Sequence, residues 1–531
     1  MATSPHFFLK QYPIALLGLW FAGAIVLILR SIFLCDGHLI YTLDDPYIHL
    51  RVAQIILRDG YGINIGEYSS PCSSIIYPYL LTITELAGFG ILGPLVLNIL
   101  AMALAVYAVS HIIQDYVFTY NIQDRNLAGS ILFPLCLGLL VCIAMNSWGL
   151  VMTGMEHSLH VLAVVLVIWG FLRILDAGST FPAWLIAAIV VLPFIRFEGL
   201  AMSLFSVTAL IYLGHRGSAF VAASLIVLGL FCWFLFTRSL GLPVLPGSVL
   251  LKSAIAANAT EHGGLAQLSR AIFSNFRVSI SNGLGVLLLL TLVVVFILSY
   301  KAWQNERNQI AIVVGGLTIL TGLAHIFGGT TGLMFPRYVI YVNTLVMISS
   351  LVLGRFWLVQ ANVKHSVFFV SFLVAASYIT TTFITPKAAQ NIYQQQYQMH
   401  RFVVEYWKQP VAVNDLGWVS YNNPSFVLDL VGLGSEEVRR LRMTESRYDA
   451  ETLFSLVERR HVSLIMIYDD WFKLRIPIGW QKVAILNTSK VSAWSDKVSF
   501  YITPTTNHAK VLELLHQFGK TLPKGSVLNY I

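Results

Sequence analysis

Residues 41–74 run YTLDDPYIHLRVAQIILRDGYGINIGEYSSPCSS, and the rest of the chain is best understood outward from this stretch. Asp44 and Asp45 stand where the chain leaves a long apolar run. Pro46 follows and opens a helical pattern. Proline is favoured at the first helical position, and an aspartate just before it is a good N-cap. Arg51, Gln54 and Arg58 fall on one face, and Ile48, Val52, Ile55 and Ile56 on another. That pattern suits an amphipathic helix lying on a membrane surface. Gly60 and Gly62 can end it. Asp45 is expected to cap this helix, its oxygens taken by backbone N–H groups. Asp44 is then left to point into a cavity, where a partly desolvated carboxylate can work as a general base. The plainer alternative is that both acids only cap and turn.

Composition says what surrounds this stretch. Of 531 residues, 56% are hydrophobic and only 11% charged, against about 25% charged in ordinary globular chains. Mean hydropathy is +0.72. A soluble protein this apolar could not cover its surface, and a disordered chain would not be this apolar. A polytopic α-helical membrane protein remains. Charge is uneven: residues 386–531 hold 17 Lys/Arg and 13 Asp/Glu, the same numbers as residues 1–385. A membrane domain over 1–385 is therefore expected, followed by a soluble domain over 386–531. Net charge is +8, split evenly between the two parts, so nothing favours nucleic-acid binding.

A span needs roughly 20 apolar residues. Eleven candidates lie near 13–33, 91–113, 128–145, 157–175, 181–195, 199–213, 218–237, 283–300, 309–327, 335–355 and 366–385. Lys/Arg residues divide almost equally between the two sides, so the positive-inside rule gives little vote. Tight basic loops such as GHRG and KAWQNERNQ favour a cytoplasmic N-terminus. An odd span count then puts residues 386–531 outside. Residues 72–89 carry Pro78 and Glu85; they are taken as a helix in the outer interface, the other possibility being a true span that would reverse all later segments.

The segment from Asp44 to Ser74 resembles the first outer loop of the GT-C membrane glycosyltransferases, most closely the branch containing the mycobacterial arabinofuranosyltransferases. The matching residues are Asp44, Asp45, Tyr47, Ile48, Leu50, Arg51, Ala53, Gly60, Gly62, Asn64, Gly66, Glu67, Ser70 and Pro71. Pro46 and Val52 depart from that family's usual Ala and Tyr. The resemblance continues in TGMEHSL (153–159), IRFEGLAM (195–202), LGLPVLPGSVLLK (240–252), FPRYVIY (335–341) and NDLGWVSY with VLDLVGL (414–432). It implies a GT-C membrane domain whose first outer loop, residues 34–90, carries the acidic pair. It also implies transfer of a sugar from a polyprenyl-phosphate donor to an acceptor hydroxyl, with inversion and with the first acid as base. The relatives lean the donor toward arabinofuranose and place the chain in a bacterial cytoplasmic membrane.

Such a reaction needs a base, cations to hold the leaving phosphate and an apolar groove for the lipid. Asp44 is the expected base, with Asp45 next. Arg337, Lys252 and Arg196 are the phosphate candidates, because ionisable residues beside apolar segments are costly and suspect. Snorkelling to headgroups is the bland alternative for each. Tyr47, His49, Arg51, Glu156 and Glu198 are supporting candidates; Glu198 is expected to pair with Arg196, and His49 and His157 to be structural. Asp44, Asp45 and Glu156 could hold a divalent cation, though nothing in the sequence requires one. No zinc, P-loop or dinucleotide motif occurs. The partners expected are a membrane lipid carrier and a glycan or protein acceptor. A flippase is the first rival, disfavoured because no internal repeat appears; a glycan polymerase or ligase is the second, disfavoured because the large soluble part is C-terminal and not a loop between late spans. Cys35 and Cys72 bracket the loop and could bridge it, though two unrelated cysteines is the simpler view. In the last 146 residues, strand-like runs (PVAVND, SFVLDLVGL, VSLIMIYDD, QKVAIL, VSFYIT) alternate with helical ones, as in a small α/β domain. Asp415, Asp429, Asp469 and Asp470 end those runs and are assigned to turns.

Overall fold

A computed structural model describes residues 5–58, 60–118, 132–176, 180–252, 265–329, 331, 337–355, 361–443 and 448–531. The helices are α1 (Pro5–Leu34), α2 (Asp45–Ile56), α3 (Tyr77–Leu86), α4 (Gly93–Ile113), α5 (Leu132–Ala144), α6 (Ser147–Thr153), α7 (His157–Leu175), α8 (Trp184–Ile195), α9 (Gly199–Tyr212) and α10 (Arg216–Ser239). They continue with α11 (Gly247–Lys252), α12 (Leu265–Ile280), α13 (Gly283–Gln304), α14 (Gly316–Gly328), α15 (Ile340–Gly354), α16 (Ala361–Gln394), α17 (Gln396–Arg401) and α18 (Gly417–Ser420). Two compact units result. The first comprises 1–29, 95–232 and 257–384, and the second 30–94, 233–256 and 385–531.

The first unit is helical. Among the described residues seven stretches are long and apolar enough to cross a membrane: Gln11–Leu34, Gly90–Phe118, Phe133–Thr153, His157–Leu175, Arg216–Ser239, Gly283–Gln304 and Asn308–Gly328. Three shorter apolar helices, α8, α9 and α15, fall on expected spans, and the eleventh expected span lies inside the 34-residue α16. Residues 128–131 and 335–336 of two expected spans lie outside the described residues. Several buried polar side chains of this unit pair with one another, which offsets part of the cost of placing them away from water. Trp20 Nε1 donates to Ser147 Oγ at 3.0 Å, and Asn343 Nδ2 donates to Tyr378 Oη at 2.7 Å.

The second unit joins the first loop to the C-terminal segment. Helix α3 has 10 residues, about 15 Å at 1.5 Å per residue, too short to cross a hydrocarbon core of about 30 Å. It leaves Ile83 and Leu86 exposed. Helix α2 departs from expectation. Nine of its 12 residues are buried, Arg51 among them, because α3 and α18 pack against it. It is therefore not a helix lying on a membrane surface. Arg51 turns inward, and its Nε donates to the Ile63 carbonyl at 2.8 Å.

The C-terminal segment forms one mixed sheet from β1 (Val411–Val413), β2 (Val427–Asp429), β3 (Leu464–Ile467), β4 (Gln481–Asn487), β5 (Lys497–Ile502) and β6 (Val527–Tyr530). Its order is β2-β1-β3-β5-β4-β6. Strands β2, β1 and β3 run parallel, and the rest pair antiparallel. All three parallel strands are wholly buried, and β1 and β3 are apolar throughout while β2 ends in Asp429, as strands covered on both faces mostly are. Ala412, Leu428 and Ile465 pack there with Leu453, Leu456 and Trp480. Five strands follow the five expected runs, and β6 is additional.

Candidate functional site

In the second unit, Asp44 occupies the N-cap position of α2 but makes no side-chain bond to that helix. Its carboxylate turns instead to α18. Oδ2 accepts from the Gly417 N–H at 2.7 Å and Oδ1 from the Trp418 N–H at 2.8 Å. The first N–H groups of a helix lack internal partners, and a carboxylate supplies them. Asp44 is thus not left free, as the local sequence suggests, but held from a distant segment. Asp45 is the first residue of α2, and it is Asp44 whose oxygens are held by backbone N–H groups. Gly417 makes the approach possible: a Cβ there would lie 2.7 Å from Asp44 Oδ2 and nearer still to the Asp44 carbonyl.

The surroundings are aromatic and acidic. Tyr47 is fully buried, its Oη accepts from the Tyr41 N–H at 2.8 Å, and its ring lies 4.0 Å from that of Trp418. Asp415 leaves the end of β1. Its Oδ2 accepts from Gln396 Nε2 at 2.9 Å and from Tyr468 Oη at 2.5 Å, and Tyr468 stands at the end of the neighbouring parallel strand β3. The C-terminal ends of parallel strands are where α/β sheets usually gather functional groups. Burial pushes the Asp44 carboxyl well above the usual carboxylate range. The Asp415 charge pushes the same way, the Trp418 and Gly417 N–H groups oppose, and Asp45 adds a further rise. His49 packs edge-on to Tyr77 at 5.4 Å. Lys252 closes α11, and its side chain lies outside the described residues. The Gly247 N–H at the head of α11 donates to the Ser70 carbonyl at 2.8 Å, joining two of the segments that carry the resemblance.

In the first unit, a second charged cluster forms around Arg196. Its Nη1 lies 2.5 Å from Glu156 Oε1, and its Nη2 lies 2.9 Å from Glu198 Oε1. The Glu198 pairing is the expected one; the Glu156 pairing takes up a residue considered for a cation. The Tyr338 ring has the Arg196 and Arg337 guanidinium carbons each 5.0 Å from its centre. Arg337 is buried. Below them His160 stacks on Tyr341 at 4.4 Å, and Tyr341 Oη lies 3.1 Å from His325 Nδ1. Among the described residues no three His, Cys, Asp or Glu side chains are grouped to hold a metal ion. Cys35 and Cys72 are both free and buried.

A profile described as a domain of unknown function, DUF8728, matches residues 390–501. No curated protein matches the chain by sequence. Among solved structures, ArnT from Cupriavidus metallidurans bound to undecaprenyl phosphate aligns over 92% of this chain and 98% of its own, at 11% identity and a TM-score of 0.50. The chain has the GT-C fold. The mycobacterial arabinofuranosyltransferase AftD aligns over 92% of this chain and 42% of its own, at 11% identity and a TM-score of 0.42. An oligosaccharyltransferase from Archaeoglobus fulgidus aligns over 95% and 74%, at 12% identity and a TM-score of 0.40.

Within this GT-C fold, sequence reasoning missed Asp415, Gly417, Trp418, Gln396 and Tyr468 as site residues. The stretch NDLGWVSY carries part of the resemblance, but an aspartate that ends a strand-like run reads as a turn residue. A usable signal was present: a buried strand ending in Asn-Asp with a glycine two residues on, where a backbone or ligand approaches closely.

Proposed function

We propose that this protein is a polytopic membrane glycosyltransferase that moves a sugar from a polyprenyl-phosphate carrier to an acceptor hydroxyl on the outer face of a bacterial cytoplasmic membrane. The N-terminus is then cytoplasmic, and residues 386–531 are extracytoplasmic. The observation that carries this is the seat of Asp44: one partly exposed carboxylate, fixed by two backbone N–H groups, with its proton affinity raised, in a fold shared with a protein bound to undecaprenyl phosphate.

Asp44 is the base. It takes the acceptor O–H proton while the acceptor oxygen bonds to the anomeric carbon. The bond from that carbon to the phosphate oxygen breaks, and its electron pair leaves on the polyprenyl phosphate, so configuration inverts. A base whose pKa is raised toward working pH is better matched to this transfer than an ordinary carboxylate. Arg337 and Lys252 are assigned to the leaving phosphate, where growing negative charge needs fixed cations. Arg196, already paired with Glu156 and Glu198, is assigned to shaping the first unit. The donor sugar is taken as arabinofuranose on the sequence resemblance.

The test is transfer by purified protein from synthetic polyprenyl-phosphate arabinofuranose, mannose, glucose and aminosugar to a panel of glycan and peptide acceptors. Turnover with one donor and a product of inverted anomeric configuration is expected. Lipid crossing the bilayer without turnover from any donor would replace the proposal with a flippase.

A further inference from the structure

The segment Asp415–Trp418 touches Asp44 in two opposed ways. Gly417 and Trp418 present N–H groups to both carboxylate oxygens, which favours the charged form. Asp415, two residues upstream of that pair, is a second partly exposed carboxylate whose charge acts on Asp44 in the other direction. Asp415 is not loose. Tyr468 Oη and Gln396 Nε2 both reach its Oδ2, and Gln396 is buried. A carboxylate built into such a network at a strand end costs more to hold than a turn residue requires.

We propose that Asp415 is a second acid of the reaction centre, a positioning residue that acts through Asp44, while the Gly417 and Trp418 N–H groups fix where the Asp44 carboxylate points. The proposal rests on the assignment of Asp44 as base. It makes residues of the C-terminal segment part of the catalytic machinery. Two carboxylates in one place do not ionise independently, so the first to lose its proton makes the second hold on. Asp44 therefore gains basicity from Asp415 and loses some to the N–H pair. Other titratable groups around Asp44 do not supply the effect. Asp45 contributes less than Asp415. Tyr47 and Tyr468 are held neutral by burial. His400 on α17, whose ring faces Trp418 at 5.2 Å, is pushed down to about 4 by burial and is uncharged at neutral pH. Arg401 on the same helix pairs with Glu405, and Glu85 on α3 is hydrogen-bonded to Gln54.

The experiment is the pH profile of kcat/KM for the full chain in lipid nanodiscs, with whichever donor turns over. In the wild type the acid limb should fall at a pH above about 4, the ordinary aspartate value, because the base works unprotonated. Asp415→Asn removes the like charge and should move that limb down by roughly one to two pH units. Asp415→Glu should keep it in place. Gly417→Ala displaces the N–H pair, so the limb should move up, and the plateau should fall by about a hundredfold. Asp415→Ser serves if the Asn variant unfolds, and the same downward shift is expected. Opposite shifts for positions 415 and 417 are the required outcome. A uniform loss at all pH values in Asp415→Asn and Asp415→Ser, or an unmoved limb, would overturn the role of Asp415 and leave Asp44 as base. Absent turnover with every donor, or full activity in Asp44→Asn, would overturn the base assignment itself and Asp415 with it.

Discussion

The two charged clusters are built on opposite principles. Around Arg196, opposite charges meet: one guanidinium pairs with Glu156 and Glu198, and the Tyr338 ring centre lies 5.0 Å from it and from Arg337. Two arginines and two glutamates cancel, so the cluster is electrically quiet. Around Asp44, like charges meet: Asp415 raises the proton affinity of Asp44, and the backbone N–H groups of Gly417 and Trp418 oppose that rise. A balanced buried ion pair holds helices in register and resists titration. An acidic pair has a proton to exchange. Burial is common to both clusters, so burial alone does not mark a reaction centre; the sign of the neighbouring charge does.

That contrast can be broken most forcefully at Asp44. Asp44→Asn keeps the shape and can still accept from Gly417 through its amide oxygen, but it removes the base. Transfer should fall by about 10²- to 10⁴-fold in a protein that still binds donor lipid, while the amide NH2 left facing the Trp418 N–H costs about 1–3 kcal/mol of stability. Full activity would sink the assignment. Arg196→Met attacks the other cluster and should act on stability. Removing one partner of a buried ion pair leaves uncompensated charge and costs about 3–5 kcal/mol, seen as a lower unfolding temperature in detergent. A loss confined to donor binding, with unfolding unchanged, would return Arg196 to the phosphate. Arg337→Ala separates the two arginines. It should weaken binding of polyprenyl phosphate by roughly 10- to 100-fold, the worth of one charge-assisted hydrogen bond at about 1.5–3 kcal/mol, with folding intact. Persistent binding would make Arg337 an anchor. The smallest effect is expected at Asn64, whose side chain accepts from the Val427 N–H at 3.0 Å and donates to its carbonyl at 2.9 Å. Asn64→Ala should cost about 1–3 kcal/mol and leave the acid limb of the rate profile where it was. A shifted limb would mean that the loop as a whole, and not Asp415, tunes Asp44.

Much of this architecture was readable in the chain. Long apolar runs have few conformations open to them in lipid, so the helices fell where hydropathy put them. The five strand-like runs of the last 146 residues became strands because alternation of apolar runs with turn residues is a local property. The acidic pair stood out because carboxylates beside a long apolar segment are rare. What misled was locality. The 3.6-residue pattern of α2 has a polar stripe, and a polar stripe normally faces solvent. Here Arg51 satisfies an internal carbonyl instead, which periodicity cannot report. Likewise nothing local to Asp44 shows that its carboxylate is held rather than free. The N–H groups that take Asp44 lie more than 370 positions away in sequence, in a helix of only four residues.

The sequence by itself therefore determined the class of molecule, the helices of the apolar region, the α/β character of the last segment and the identity of the acidic pair. Each follows from short-range chemistry: transfer of apolar runs out of water, backbone propensity and the cost of isolated charge. Only the tertiary structure decided which acid is held and by what. It brought the first loop and the C-terminal segment into one compact unit, set Asp415 beside Asp44 and closed Arg196 between two glutamates. Those outcomes depend on contacts between distant segments, and a side chain's charge has chemical meaning only once the neighbours that stabilise or oppose it are in place.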